Sequence, residues 1–277
     1  MCCFGFPWDL IIVYKNTIKK TQVLHIMQNK VANSTLTHEQ VLDHEQVIDK
    51  LQEMLRPSGW HNLLKGFLVS EDFENIIKTL KTYVADNKRF TPPLRQVFRA
   101  FQECPIAELK VVFVGQDPYP QMGVADGIAF SCSNTMKPEV SLRYMQRAII
   151  DTVYEGKITV KELSPDLSNW SRQGILMLNT SLTTEIGKIG KHLELWKSLI
   201  GYLFDMLNTQ KKDIIWVFLG KKAQEYSDLI GDHHIKLYAS HPASAAYQRE
   251  QHWNCEDIFN KVNNNLRALG KPEINWQ

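Results

Sequence analysis

The chain has 277 residues, 44% of them hydrophobic and 22% charged, with a formal net charge of +2. That composition belongs to a globular protein with a real core and excludes a disordered or low-complexity chain. Nearly balanced charge excludes a uniformly basic nucleic-acid binder, so any such role must rest on local patches. The five cysteines (Cys2, Cys3, Cys104, Cys132 and Cys255) are odd in number and lack metal spacing. They fit free thiols in a reducing compartment better than a disulfide framework.

Residues 1–56 read as an amino-terminal extension, helical or partly disordered, with Met27 as an alternative start. Leu10 to Val13 is too short to span a membrane, and no basic residue precedes Lys15, which speaks against a secretory signal. HEQV at His38–Val41 and HEQVID at His44–Asp49 place two histidines six apart rather than four, so the HExxH metal pattern is not met. A solvated helix is the expectation there.

From residue 57 to 277 the pattern is that of one compact domain. Ser70, followed by Glu71 and Asp72, predicts a capped helix start, and Phe73, Ile76, Ile77, Leu80 and Tyr83 follow at helical spacing. Thr91-Pro92-Pro93 makes a rigid extended loop. Val97, Phe98 and Phe101 suggest a helix leading to a first strand at Val111–Val114, closed by Gly115 and buried on both faces. After Phe130 comes a loop with Ser141 as helix cap, then apolar positions Leu142, Met145, Ile149 and Val153. Ile175 to Leu178 predicts the second strand, ending at Asn179. A helix over Leu193–Leu207 leads to the third strand, Ile214–Leu219, ending at Gly220-Lys221. Ile235–Ala239 is the fourth strand, ending at Ser240-His241-Pro242. A last helix from near Glu256 to Leu269 stops at Gly270.

Short apolar strands alternating with helices predict a three-layer α/β/α fold around a central, mainly parallel four-stranded sheet. In such sheets ligands bind at the carboxyl ends of the strands. Those exits carry Asp117 and Tyr119, then Asn179, then Gly220-Lys221, then Ser240 and His241. Pro118 and Pro120 stiffen the first exit loop, which presents one carboxylate and one aromatic ring. A plain turn whose Asp bonds its own backbone would also satisfy that loop taken alone.

No GxSxG elbow occurs and no cysteine sits at a strand exit, so the rim lacks a nucleophile. Asp117 would then activate water or stabilise a cation, and a neutral His241 would stabilise a departing anion. Asn179 offers one donor and one acceptor for the edge of a base, and Phe130 a face for stacking. The set suits cleavage of a sugar–base bond through an oxocarbenium-like transition state.

GQDPYP at Gly115–Pro120, Phe130, LMLN at Leu176–Asn179 and SHPAS at Ser240–Ser244 together resemble the motifs of the main uracil-DNA glycosylase family. The similarity runs from about Trp60 to the final KPEINW. It implies an enzyme without metal or cofactor that releases uracil from DNA and leaves an abasic site. It implies that Asp117 positions water and that His241 bonds the uracil O2. Asn179 would read O4 and N3–H, Phe130 would stack, Tyr119 would exclude a 5-methyl group, and the Gln116 backbone would line the pocket. DNA contacts are implied for Pro92, Pro93, Ser141, Gly220, Lys221, Ser240, Ser244 and Ala245. The chain departs from the family at Pro120, where His is common, at Lys221, where Ser is usual, and at Ala245, which stands where a leucine wedge fills the flipped-out gap. The short Ala245 predicts weakened duplex activity and a preference for single-stranded DNA, with Tyr247 or Gln248 as the alternative wedge. The partner set is uracil-containing DNA alone, with no membrane, and the protein is expected as a monomer in the cytoplasm, or in the nucleus of a eukaryotic host. The rival reading is a non-catalytic DNA-binding or processivity subunit on the same fold.

Overall fold

The computed structural model describes residues 44–277. The His38–Val41 repeat and the first two cysteines lie outside that range. Helix α1 (His44–Leu55) buries Val47, Ile48, Leu51 and Leu55. This corrects the solvated-helix expectation: the apolar positions recur at helical spacing and dock on the domain. The end of the extension is thus a packed element, in contact with α2 (Trp60–Leu68).

Helix α3 (Glu71–Ala85) begins as expected, with the Ser70 hydroxyl accepting the Phe73 N–H at 3.3 Å. Strand β1 (Phe90–Thr91), a pair of residues too short to be read from the sequence, joins the antiparallel ribbon described below. A single 3₁₀ turn (Leu94–Gln96) and the short α4 (Arg99–Glu103) replace the one helix expected near Phe98.

Strand β2 (Val111–Gly115) is followed by α5 (Val140–Thr152), α6 (Ser168–Arg172), β3 (Ile175–Asn179) and β4 (Thr184–Glu185), then α7 (Leu193–Gln210) and β5 (Ile215–Leu219). The chain continues through α8 (Lys221–Gln224), β6 (Ile235–Ala239), α9 (Ser244–Tyr247) and α10 (Ile258–Ala268). The sheet has the order β3-β2-β5-β6 with every pairing parallel, and β1 pairs with β4 in a separate ribbon. The α/β/α expectation holds, and the four-stranded sheet is parallel throughout.

Alternation along the strands splits the core into two layers. On one face Trp216 meets Phe204 of α7 edge-on at 4.7 Å. On the other, Phe113 stacks on Phe259 of α10 at 6.3 Å, and Trp276 meets Trp170 at 5.0 Å. With both faces covered, β2 and β5 are buried along their full length, which is why they read as unbroken apolar runs. Parallel pairing puts all four carboxyl ends on one edge. The in-register pair Gly115 and Asn179 sits there, with the ends of β5 and β6 beside it.

Candidate active site

The exit of β2 turns at Gly115 because nothing larger fits. A Cβ there would lie 2.6 Å from the Asn179 Oδ1 and 3.1 Å from the Phe130 ring. Both side chains therefore close over the same glycine. Phe130 itself holds a left-handed backbone (φ 65°), a costly state for an aromatic residue that its surroundings must impose. Those surroundings are polar and buried. Asp126 accepts from the Ile128 and Ser133 N–H groups and from the Ser131 hydroxyl, and Arg99 bridges it to Asp166 at 3.0 Å on each side. The Tyr119 hydroxyl donates to the Phe130 carbonyl at 3.1 Å and ties the two loops together.

Asp117 is half-buried, and its Oδ2 accepts the Gly190 N–H from the loop before α7. Burial raises its pKa above the usual 3.8, opposed by hydrogen bonds from Gly190 and Gln116. The Gln116 carbonyl accepts from the Thr180 hydroxyl at 2.9 Å, which pins this loop to the end of β3.

His241 is held from the other side. Gly220 (φ 88°) lets the β5 exit approach so closely that a Cβ there would sit 2.9 Å from the His241 Cβ. The His241 ring lies 5.9 Å from Phe130. Its Nδ1 accepts the Ala243 N–H at 3.2 Å, so the neutral ring carries its proton on Nε2. Burial lowers its pKa from 6.5, which keeps the ring neutral at pH 7.

These groups line one cavity of about 420 Å³, formed by Gln116, Asp117, Tyr119, Phe130, Asn179 and His241, with Ser141 and Ser244 also in its lining. No protein group among the described residues hydrogen-bonds the Asn179 side-chain amide, although it is half-buried. An amide in that position is equipped to receive a polar edge brought by a ligand. Among the described residues no group of three His, Cys, Asp or Glu side chains could hold a metal ion. None of the described helices is long and apolar enough to cross a membrane.

The residues expected at DNA divide into two sets. Ser141 and Ser244 line the cavity, and Ser244 donates to Ser240, which also accepts the Trp253 indole N–H at 2.9 Å. Lys221 is exposed directly after Gly220. The expected Ser141 cap is corrected: the helix starts earlier, with Glu139 as the N-cap of α5 and Ser141 inside its first turn. Pro92 is buried and Pro93 precedes the 3₁₀ turn, and neither lines the cavity. Ala245 is corrected more sharply. It is 1% exposed on the inner side of α9, whereas Tyr247, two residues on, is 82% exposed at the cavity mouth. A residue turned into the core has no reach toward a duplex. Gly190 and Thr180 escaped the sequence reading because they act through backbone and hydroxyl contacts across the fold; the paired glycines of IGKIGK were the one visible sign of a shaped loop.

A parallel α/β sandwich with these side chains around one ring-sized slot places the protein among the glycosylases that cut a base from its sugar. The sequence model of the Uracil DNA glycosylase superfamily matches residues 101–267, more than half of the chain. The uracil-DNA glycosylase of Acinetobacter baylyi is 32% identical over 231 residues, 83% of this chain and 95% of that protein. That of Fusobacterium nucleatum is also 32% identical, over 76% of this chain and 93% of its own. The crystal structure of mimivirus uracil-DNA glycosylase shares the fold, with a TM-score of 0.71 and 24% identity over 81% of this chain and 88% of that one. The chain belongs to the uracil-DNA glycosylase superfamily.

Proposed function

We propose that this protein is a monofunctional uracil-DNA glycosylase that hydrolyses the bond between uracil and deoxyribose, releasing the free base and leaving an abasic site. The observation that carries this reading is the meeting of Asp117, Asn179, His241 and Phe130 around a single cavity. The base must leave the helix to enter it, at a cost of about a few kcal/mol in unstacking.

Once inside, the base would stack on Phe130 while Asn179 reads its O4 and N3–H. Cytosine presents the opposite polarity there and would leave buried groups unpaired, a penalty of about 1–3 kcal/mol for each. Tyr119 would close the pocket against a 5-methyl group. As the bond breaks, positive charge develops on the sugar and negative charge on the base. Asp117, anchored by Gly190 and Gln116, would orient water and face the cation. The neutral His241 would donate Nε2–H to the uracil O2 as it becomes anionic. A protonated ring could not be held by the Ala243 N–H in the same pose, because both would be donors. The product base leaves with its proton restored from solvent.

Ser141, Ser240 and Ser244, with Lys221 beyond them, would hold the flanking phosphates. Tyr247, rather than Ala245, would enter the gap left by the flipped base, since it is the large ring at the mouth. With Tyr247 in that place, duplex DNA is a substrate alongside single strands. The catalytic unit would be residues 57–277, with α1 docked onto it, acting as a monomer without cofactor, in the cytoplasm or a nucleus.

Alkali treatment of a uracil-containing oligonucleotide after incubation with the protein should give strand breaks at uracil and at no other base. Uncut single-stranded substrate would refute the reading.

A further inference from the structure

Beside the cavity, on the Asp117 side, the ribbon of β1 and β4 carries charges that the excision chemistry does not use. Lys88, Lys188 and Lys191 gather around Glu185, with Asp86 the other carboxylate close by, and Arg89 leads into β1 with its guanidinium donating to the Met122 Sδ at 3.7 Å. Lys88 pairs with Asp86 at 3.3 Å and Lys188 with Glu185 at 2.6 Å. Four cations thus face two carboxylates. Glu185 titrates below its ordinary range, first through its hydrogen bond from Lys188 and further through the fields of Lys188, Lys191 and Lys88. Arg89 and Lys191 are exposed.

Backbone N–H groups tie the ribbon together and join it to the catalytic loop. The Ile186 N–H donates to the Arg89 carbonyl at 2.9 Å within the ribbon, Gly187 donates to the Pro120 carbonyl at 2.9 Å, and Gly190 donates to the Asp117 carboxylate. Between those two glycines the chain projects Lys188 and Ile189. Ile189 is 65% exposed yet lines the cavity mouth. Ile189 thus offers an apolar side chain, flanked by lysines, at the opening of the cavity. A base or sugar face would cover it, while phosphates on either side would meet the lysines. The spare positive charge matches a polyanion rather than an acidic patch of the same protein.

We propose that this ribbon is a second DNA-binding surface, with Arg89 and Lys191 neutralising phosphates of the single strand that runs out of the pocket past Ile189. The proposal rests on the excision reading for the strand's starting point but concerns nucleotides beyond the one excised. It extends the footprint of the protein past the serines of the cavity lining, in a region where the overall charge of the chain gives no hint of binding.

The test uses the full chain and the double variant Arg89→Gln/Lys191→Gln, with Arg89→Glu/Lys191→Glu as a stronger form. Binding of a fluorescent single-stranded oligonucleotide without uracil is measured by anisotropy across salt concentrations, and uracil release is measured on short and long uracil strands. Each lost phosphate contact on a single strand lowers the salt slope by about 0.7, so the Gln pair should lose about 1.4. Affinity for the long strand should fall at least fivefold for the Gln pair and further for the Glu pair. The advantage of long over short uracil strands should shrink, with the change in KM rather than in turnover. An unchanged slope and an unchanged length advantage would overturn the proposal. Because the anisotropy arm needs no catalysis, absence of uracil release with the slope change present would refute the excision reading and leave this surface standing.

Discussion

The loops after β2 and β6 face each other across the cavity, and they are built in opposite ways. The first is locked from several sides: Gly115 beneath Asn179 and Phe130, Tyr119 bonded to the Phe130 carbonyl, Asp117 held by Gly190. The second is held mainly at its start, with Ser240 bonded by the Trp253 indole and His241 fixed by the Ala243 N–H and by the close approach of Gly220. Beyond His241 it becomes the single turn of α9, with Ala245 turned inward and Tyr247 outward. Bond cleavage demands fixed geometry, whereas contact with DNA tolerates exchange of one side chain for another nearby. The most consequential departure from the family pattern falls accordingly on the second loop.

The largest test of this contrast is Asp117→Asn. Turnover should fall about a thousandfold, in the range for losing a charged catalytic group, while affinity for uracil DNA changes little. Equal losses in both would show that Asp117 only shapes the pocket. The same variant should melt at a higher temperature at pH 7. Burial raises the Asp117 pKa above 3.8, so the folded state favours the protonated form. Its stabilising contribution is complete below the unfolded pKa and is lost as pH rises through the folded one. At neutral pH the ionised carboxylate is therefore a liability that Asn removes, and below pH 3.8 the gain should vanish.

Next in size is the anchor of the loop that carries Phe130. Arg99→Ala leaves the fully buried Asp126 without its cation and should cost about 3 kcal/mol in denaturant unfolding, with uracil release impaired in the surviving fold. A loss under about 1 kcal/mol would mean that the backbone N–H groups around Asp126 suffice. Asn179→Asp should lower uracil release about a hundredfold and admit cytosine, scored on paired oligonucleotides; continued neglect of cytosine would clear Asn179 as the reader.

The smallest effects belong to the second loop. Tyr247→Ala should slow duplex cleavage about tenfold, near 1.4 kcal/mol, and leave single strands almost unaffected. Ala245→Leu should not repair it, because the added atoms would press into the core. A repair by that second substitution would return the wedge to the position read from the sequence. The pH profile should be flat near neutrality and fall on the acid side. Protonation of Asp117 should stop the reaction, and protonation of His241, displaced below 6.5 by burial, should stop it again. An inflection at or above 6.5 that vanishes in His241→Gln would contradict the neutral-imidazole arrangement.

The sheet was legible because strands covered on both faces must be continuously apolar, and no other described element has that signature. Strand β6 was read to the residue, although it is only partly covered, because His-Pro and the flanking polar residues bound it. The chemistry-bearing exits followed from the strands. Two kinds of information were not legible. Side-chain direction within a four-residue helix depends on how that turn packs, so Ala245 and Tyr247 could not be told apart. Contacts made by backbone N–H groups, as at Gly190, leave no trace in residue identity. The packing of α1 lay between these: its apolar spacing was present, but the charged residues around it favoured a solvated reading.

Trp276 lies among Trp170, Phe259 and Phe113 under the sheet, and its carbonyl accepts the Trp170 indole N–H at 3.1 Å. It acts as a cork pushed in from the tail. Trimming the final two residues would open a void of indole size and remove about 3–5 kcal/mol, a large share of what holds a domain together. Purification handles are therefore better carried at the opposite end, and a proteolytic nick near Asn275 would be enough to silence the enzyme from a distance.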